Sequence, residues 1–500
     1  GRVTLGEGYE LPMHAEVARA DAVAQAALVR SRQVKPSELV VAAIERIEAA
    51  NDALNAVIHP AFERAVDHAR SLDEAHSDFD DDSPPLVGVP FLMKDLGGQE
   101  AGAPYHMGVQ AMRDASWTES SDSYLAQRLR AAGIVSLGRT NTPELGLLPI
   151  TEPRAYGPTR NPWNLERSPG GSSGGASAAV AAGLVPAAHA SDGGGSIRIP
   201  AAHSGLVGLK PTRGRSSFGP AAGERWAGFS CELVVSRSVR DTAAFLDIIH
   251  GAMPGDPYSA APPARPYASQ IGLPVRPLRI GLMKSTPGHR LPLHPECVHA
   301  VDATAQALAD LGHTVEEHHP AALDDEGNVL HFAVIIACNV ARTLESIGTR
   351  LGRTLTRDDV EPLTWALAEH AAEVTATRYL ASIEAVHELG RRTAAWWQLG
   401  YDLLLTPVSS QPPPEIGSLV PSEATPLEDW ARAGVHSCFT SAFNMTGQPA
   451  ISLPVHLTAD GLPIGAQLVA DTGREALLRR IAAQLEQALP WKDRRPVGFF

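Results

Sequence analysis

The chain has 500 residues, 44% of them hydrophobic, and a formal net charge of -14. That length supplies a large core, for two or three average domains or for one large α/β fold. Phosphate binding needs clustered Lys and Arg, so an acidic chain with only five lysines (Lys35, Lys94, Lys210, Lys284 and Lys492) argues against a nucleic-acid surface.

The opening residues, GRVTLGEGYELPMH, lack the charged and apolar regions of a signal peptide. No unbroken run of 18 apolar residues suggests a membrane span. Residues 15–80 read as an N-terminal helical segment, in which Leu39, Ala42, Ile44 and Ile47 form a helical stripe after Pro36. LVGVPFLM (86–93) predicts a buried strand that ends at Lys94. A helix over 121–132 and a strand at GIVSLG (133–138) follow. Residues 168–200 hold two glycine–serine clusters with an apolar Ala-rich stretch between them. Residues 253–278 are rich in proline and read as a surface connection. Strands are predicted at LRIGLM (278–283), HTVEE (313–317), YDLLLTP (401–407), AISLPVHL (450–457) and IGAQLVA (464–470), and a last helix at 473–488. Residues 285–440 are richer in helix and read as an insertion or cap within one domain spanning 1–500. The alternation predicts an α/β fold around a mixed, largely buried sheet. Cys231, Cys297, Cys338 and Cys438 form no CxxC pair, which suits a reducing, cytoplasmic setting.

The glycine–serine clusters carry the chemistry. In DGGGSIR, three glycines stand immediately before Ser196. Successive backbone N–H groups in such a loop can converge on a developing oxyanion, and losing one such donor costs about 2.7–4 kcal/mol. Ser196 at the edge of that nest is a candidate nucleophile. A plain glycine turn or an anion-binding loop would read the same way. Serine needs a base. His189 and His203 are near in sequence but have no telling spacing, and they read as structural. Lys94 follows an apolar run, and a buried lysine loses its proton more easily. Its other readings are snorkelling to solvent or pairing with Asp95. GGSSG (170–174) formally fits a nucleophile elbow, but TRNPWNLERSP before it is no buried strand, so the elbow is rejected. Ser172 then suits a proton relay between Lys94 and Ser196. GxxxxGK[ST] and HExxH do not occur, and Glu316, Glu317, His318 and His319 read as a solvated strand end. No metal or cofactor is called for.

Lys94, GGSSGG (170–175), GGSIR (194–198), GLKPTRGR (208–215) and NMTGQPAISLP (444–454), in this order, resemble the amidase signature family. The likeness is nearest to bacterial hydrolases of nylon-oligomer cyclic dimers and to urethane- and anilide-cleaving amidases. It implies a three-layer α/β/α sandwich with a mixed sheet of about eleven strands. It also implies a Ser–cis-Ser–Lys triad of Ser196, Ser172 and Lys94, with the Gly171–Ser172 peptide cis. The oxyanion hole falls on the N–H groups of Gly193, Gly194, Gly195 and Ser196. Ser173, Asp192 and Arg198 take supporting places, and in some relatives the arginine holds a substrate carboxylate. Gly193 stands where relatives often carry a larger residue, which implies a wider oxyanion strand. The substrate pocket is expected from Tyr105, Met107, Ile150, Thr151, Phe229, Ile336, Cys338 and Phe443. The expected partner is a small amide or carbamate, with no nucleic acid and no membrane, and a homodimer is compatible with the family. Two other readings remain open. One is the amidase subunit of a tRNA-dependent amidotransferase, which typically carries Gln where Ile199 stands. The other is an inactive binding protein of the same fold.

Overall fold

A computed structural model describes residues 17–75, 79–80 and 82–500, so parts of the predicted 15–80 segment (15–16 and 76–78) lie outside the described residues. Eleven strands form one mixed sheet in the order β1-β3-β2-β4-β6-β5-β10-β11-β9-β7-β8. They are β1 (Val57–Pro60), β2 (Pro90–Lys94), β3 (Val135–Thr140), β4 (Ala187–Asp192), β5 (Val207–Lys210), β6 (Cys231–Ser236), β7 (Arg279–Leu282), β8 (Thr314–Glu317), β9 (Leu403–Pro407), β10 (Ala450–Leu457) and β11 (Pro463–Ala470). β2 runs parallel to β3 and β4, and β7 parallel to β8 and β9; the other pairs are antiparallel. Helices cover both faces, giving an α/β/α sandwich. β2, β4, β6, β9 and β11 are buried along their whole length. Continuous apolar runs are what a sheet covered on both faces requires.

The sequence reading places seven of these strands. Five begin later than read: β2 by four residues, β3 and β9 by two, β7 and β8 by one. LVGVP turns before Pro90, because Gly88 has φ +78° and Pro36 lies 3.1 Å from where its Cβ would stand. β3 starts at Val135 and runs to Thr140. The helix read at 121–132 is Tyr124–Ala131, with Ser123 Oγ accepting the Ala126 N–H as its cap. β1 interrupts the segment read as wholly helical. β4 (AAHASD), β5 and β6 went unread. Alanine is a poor strand former; β4 uses it because the Gly174–Ala181 helix packs directly on that strand.

The helix-rich segment 285–440 also supplies β8 and β9, so it is threaded into the sheet. Its helices Gly327–Leu351, Pro362–Ala372 and Ala376–Trp397 pack on one another. With Tyr105, Met107, Leu145, Ile150 and Phe229 they build a second apolar core beside the one on the sheet. Gly327–Leu351 is the one described helix long and apolar enough to cross a membrane, by length and composition only, with a mean hydropathy of 1.3 over its most apolar window. Its packing in the second core accounts for that apolar stripe.

Candidate active site

Side chains alternate along a strand, so Phe91 and Met93 of β2 face one side of the sheet and Leu92 and Lys94 the other. Lys94 closes β2 with its ammonium nitrogen fully buried. Its Nζ lies 2.7 Å from Ser172 Oγ and 3.0 Å from Ser191 Oγ. Burial, the largest influence, brings its pKa down to about 7 against the raising pull of Asp192 and Glu232. Asp95 does not pair with it. That carboxyl accepts the N–H groups of His106 and Gly108, and burial pushes its pKa up to about 7.

Ser172 lies on a loop whose Gly171–Ser172 peptide is cis. Gly171 has no room for a side chain: a Cβ there would stand 2.4 Å from the Ile150 carbonyl oxygen. Ser173 ties the loop to the end of β4, with its Oγ donating to the Ser191 carbonyl and accepting the Ser191 N–H.

The second cluster turns around Asp192. Its carboxylate accepts the N–H groups of Gly195 (2.8 Å) and Ile197 (3.0 Å) and two donors of Arg198 (2.9 Å each). Burial opposes this charge, but Arg198 and Asn444 outweigh it and hold the carboxyl well below its usual range. Arg198 is also fully buried. Its remaining donors go to Thr440, Gln467 and Asn444. It is therefore spent inside the protein and does not reach a substrate carboxylate. Gly195 N–H is likewise engaged. The N–H groups of Gly193, Gly194 and Ser196 have no acceptor among the described residues.

A cavity of about 160 Å³ collects Ser172, Ser191, Gly193 and Ser196 with Leu96, Met107, Leu145 and Trp226 on its apolar side. Glu224, Arg225, Ser230, Glu232, Asn339 and Thr343 supply polar wall. The Ser196 hydroxyl makes no hydrogen bond among the described residues and lines the cavity. Of the pocket residues read from sequence, only Met107 lies on its wall. Tyr105, Ile150, Phe229 and Ile336 belong to the second apolar core. Phe443 packs with Leu404 and Phe439 in a third. Thr151 Oγ1 is bound between Gly170 and Gly174. Cys338 is off the wall, whereas its neighbours Asn339 and Val340 are on it. The burial of individual apolar side chains could not be told from sequence.

Ser191 and Glu232 were missed. Ser191 had one readable sign: it directly precedes Asp192. Glu232 had none, because β6 itself was unread. His203 packs edge-on against His436, away from the cavity. Glu316 pairs with Arg279 and Glu317 with Lys284, while His319 pairs with Asp324. The expected widening at Gly193 does not occur, because the Trp226 ring fills that space.

The chain is similar to known amidases over most of its length. The Amidase family profile matches residues 38–478. A 6-aminohexanoate-cyclic-dimer hydrolase from Paenarthrobacter ureafaciens is 45% identical over 95% of this chain and 96% of its own length. A solved 6-aminohexanoate cyclic dimer hydrolase complexed with substrate superposes with a TM-score of 0.92, at 44% identity over 96% of this chain and 99% of that one. A bacterial aryl acylamidase of the amidase signature family superposes with a TM-score of 0.86 at 28% identity, covering 96% of this chain and 98% of that one. The chain belongs to the amidase signature family. It is a hydrolase of non-peptide C–N bonds, acting on small amides.

Proposed function

We propose that the chain cleaves a cyclic or aryl amide through an acyl-enzyme on Ser196, with Ser172 as proton relay and Lys94 as base. The observation that carries this is the fully buried Lys94 Nζ, 2.7 Å from the Oγ of Ser172, which lines the same cavity as Ser196. A lysine that releases its proton near pH 7 is poised for base catalysis at neutral pH. Ser196 Oγ attacks the carbonyl carbon as its proton passes to Ser172 and the Ser172 proton passes to Lys94. The developing oxyanion takes hydrogen bonds from the N–H groups of Gly193, Gly194 and Ser196. The intermediate collapses, the C–N bond breaks, and the proton returns through Ser172 to the leaving nitrogen. Water then hydrolyses the acyl ester by the same relay.

The substrate reading rests on the relative at 45% identity, named for a 6-aminohexanoate cyclic dimer. A nylon-type cyclic amide suits a cavity with Met107, Leu145 and Trp226 on one side and Asn339 and Thr343 on the other. Anilides rank second and aryl carbamates third. The test is product release by mass spectrometry from a nylon-type cyclic amide, an anilide, an aryl carbamate and glutamine, with Ser196→Ala in parallel. Turnover of a non-glutamine substrate that is lost in Ser196→Ala supports the reading. Turnover retained in Ser196→Ala, or cleavage of glutamine alone, overturns it.

A further inference from the structure

Glu232 is a carboxylate with a side chain only 2% exposed, yet it lines the catalytic cavity. It pairs across the sheet with Ser191, so the two side chains project from the same face, the one on which Ser191 meets Lys94 Nζ. Its Oε1 accepts the Gly98 N–H at 3.2 Å. The same oxygen lies 3.6 Å from His189 Nε2. His189 Nδ1 accepts the Lys94 backbone N–H at 3.3 Å, so Nε2 is the ring nitrogen turned toward Glu232. No cation pairs with Glu232 at hydrogen-bond distance among the described residues.

The chain is cut to admit this carboxylate. A Cβ on Gly97 would stand 1.9 Å from Glu232 Oε1, and one on Gly98 would stand 3.2 Å from the His189 ring. Both glycines have positive φ. The GG of KDLGGQ, which the catalytic motifs leave unexplained, is thus a cradle for Glu232 and His189.

The charges around Lys94 single out Glu232. From β3, Arg139 donates to the Lys94 carbonyl and away from Nζ. From β4, Asp192 is neutralised by the two-donor pairing with Arg198. Lys210 of β5 donates to the Pro211 carbonyl. Asp95 is turned to the backbone of residues 106–108. Glu224 and Arg225 stand on the cavity wall as one negative and one positive group. Of Asp192 and Glu232, the two carboxylates that pull on Lys94, Glu232 is the one with no Arg or Lys at hydrogen-bond distance among the described residues. We infer that Glu232 is a positioning residue for the acyl transfer, its carboxylate serving as the counter-charge for the ammonium that forms on Lys94 as the Ser196 proton arrives through Ser172. The step balances: one proton moves from Ser196 to Ser172, one from Ser172 to Lys94, and both return when the amine leaves. This role rests on the reading of Lys94 as base.

The test is the pH profile of kcat/KM, on an amide that the wild type cleaves, for wild type, Glu232→Gln, Glu232→Asp and Lys94→Ala. Gln keeps an acceptor for the Gly98 N–H but removes the charge. A carboxylate favours the ammonium form, so its loss lets Lys94 shed its proton at lower pH. In Glu232→Gln the acid limb is expected about one pH unit lower, with kcat down about tenfold and KM little changed. Glu232→Asp keeps the limb within about half a unit of wild type. An unmoved limb in Glu232→Gln, or a full-unit fall in Glu232→Asp, overturns the counter-charge role. If Glu232→Gln does not fold, Glu232→Asp decides by the same margins. Activity retained in Lys94→Ala overturns the base itself. An inactive Lys94→Ala beside an unmoved Glu232→Gln overturns only the role of Glu232.

Discussion

Trp226 lies against the α-carbon of Gly193: a Cβ built there would stand 2.6 Å from the indole Cε3. Both residues line the catalytic cavity. The absent side chain and the Trp226 ring are therefore one arrangement, in which the wall residue occupies the space that a larger residue in the oxyanion strand would take.

Gly193→Ala should accordingly push Trp226 off its seat and into the cavity. We expect kcat/KM to fall about tenfold, mostly through KM, with the melting temperature nearly unchanged. The double variant Gly193→Ala/Trp226→Ala should recover part of the loss. Steady-state kinetics of the two variants check this; equal and independent losses would contradict it.

Ser172→Ala should lower kcat by about 10²–10⁴-fold, the range for a positioned acid–base group, with KM little changed. Ser196→Ala should remove acyl-enzyme formation altogether. Burst-phase kinetics and intact-mass detection of the acyl adduct separate the two roles.

Lys94 makes stability depend on pH. Its pKa is about 7 when folded, against ~10.4 in the unfolded chain. Below pH 7 both states hold the proton and the whole cost of burying the ammonium is present, an upper bound of about 4–5 kcal/mol. Between about pH 7 and 10 the unfolded chain holds the proton more, so the cost falls as pH rises. Lys94→Met should therefore gain most over wild type near pH 6 and least near pH 10, as measured by urea unfolding at each pH. Activity of the wild type should rise through pH 7 over the same titration.

The Asp192–Arg198 pair is fully buried, and breaking such a pair strands a charge at a cost of about 3–5 kcal/mol. Arg198→Met should destabilise by that much and lower activity by releasing the 193–196 loop. Arg198→Lys should not rescue it, because lysine lacks the planar fork that reaches Asp192, Gln467 and Asn444 together. Chemical denaturation and kcat on the folded fraction check both variants.

How far the residues could be read depended on what each signal measures. β10 and β11 were legible almost to the residue because their runs are long, apolar and bounded by turns. β4 was not, because AAHASD owes its strand state to the helix packed on it rather than to its own preference. The glycine clusters were legible because dense glycine is costly and so marks a backbone requirement. Wall and core could not be separated for Tyr105, Ile150, Phe229 or Ile336, since an apolar side chain satisfies either place.

By itself the sequence determined the chemistry on offer: two serines in glycine-rich turns, a lysine at the end of an apolar strand, and an alternation that demands a mixed sheet. These are local properties, written in neighbouring residues. Tertiary structure alone decided which groups meet. It brought Lys94 to Ser172 and Ser191 across two strands, spent Gly195 N–H and Arg198 on Asp192, set Trp226 against Gly193, and seated Glu232 in the space left by Gly97. Each of these pairs residues far apart in the chain, and their geometry depends on strand order and register, which no single segment encodes.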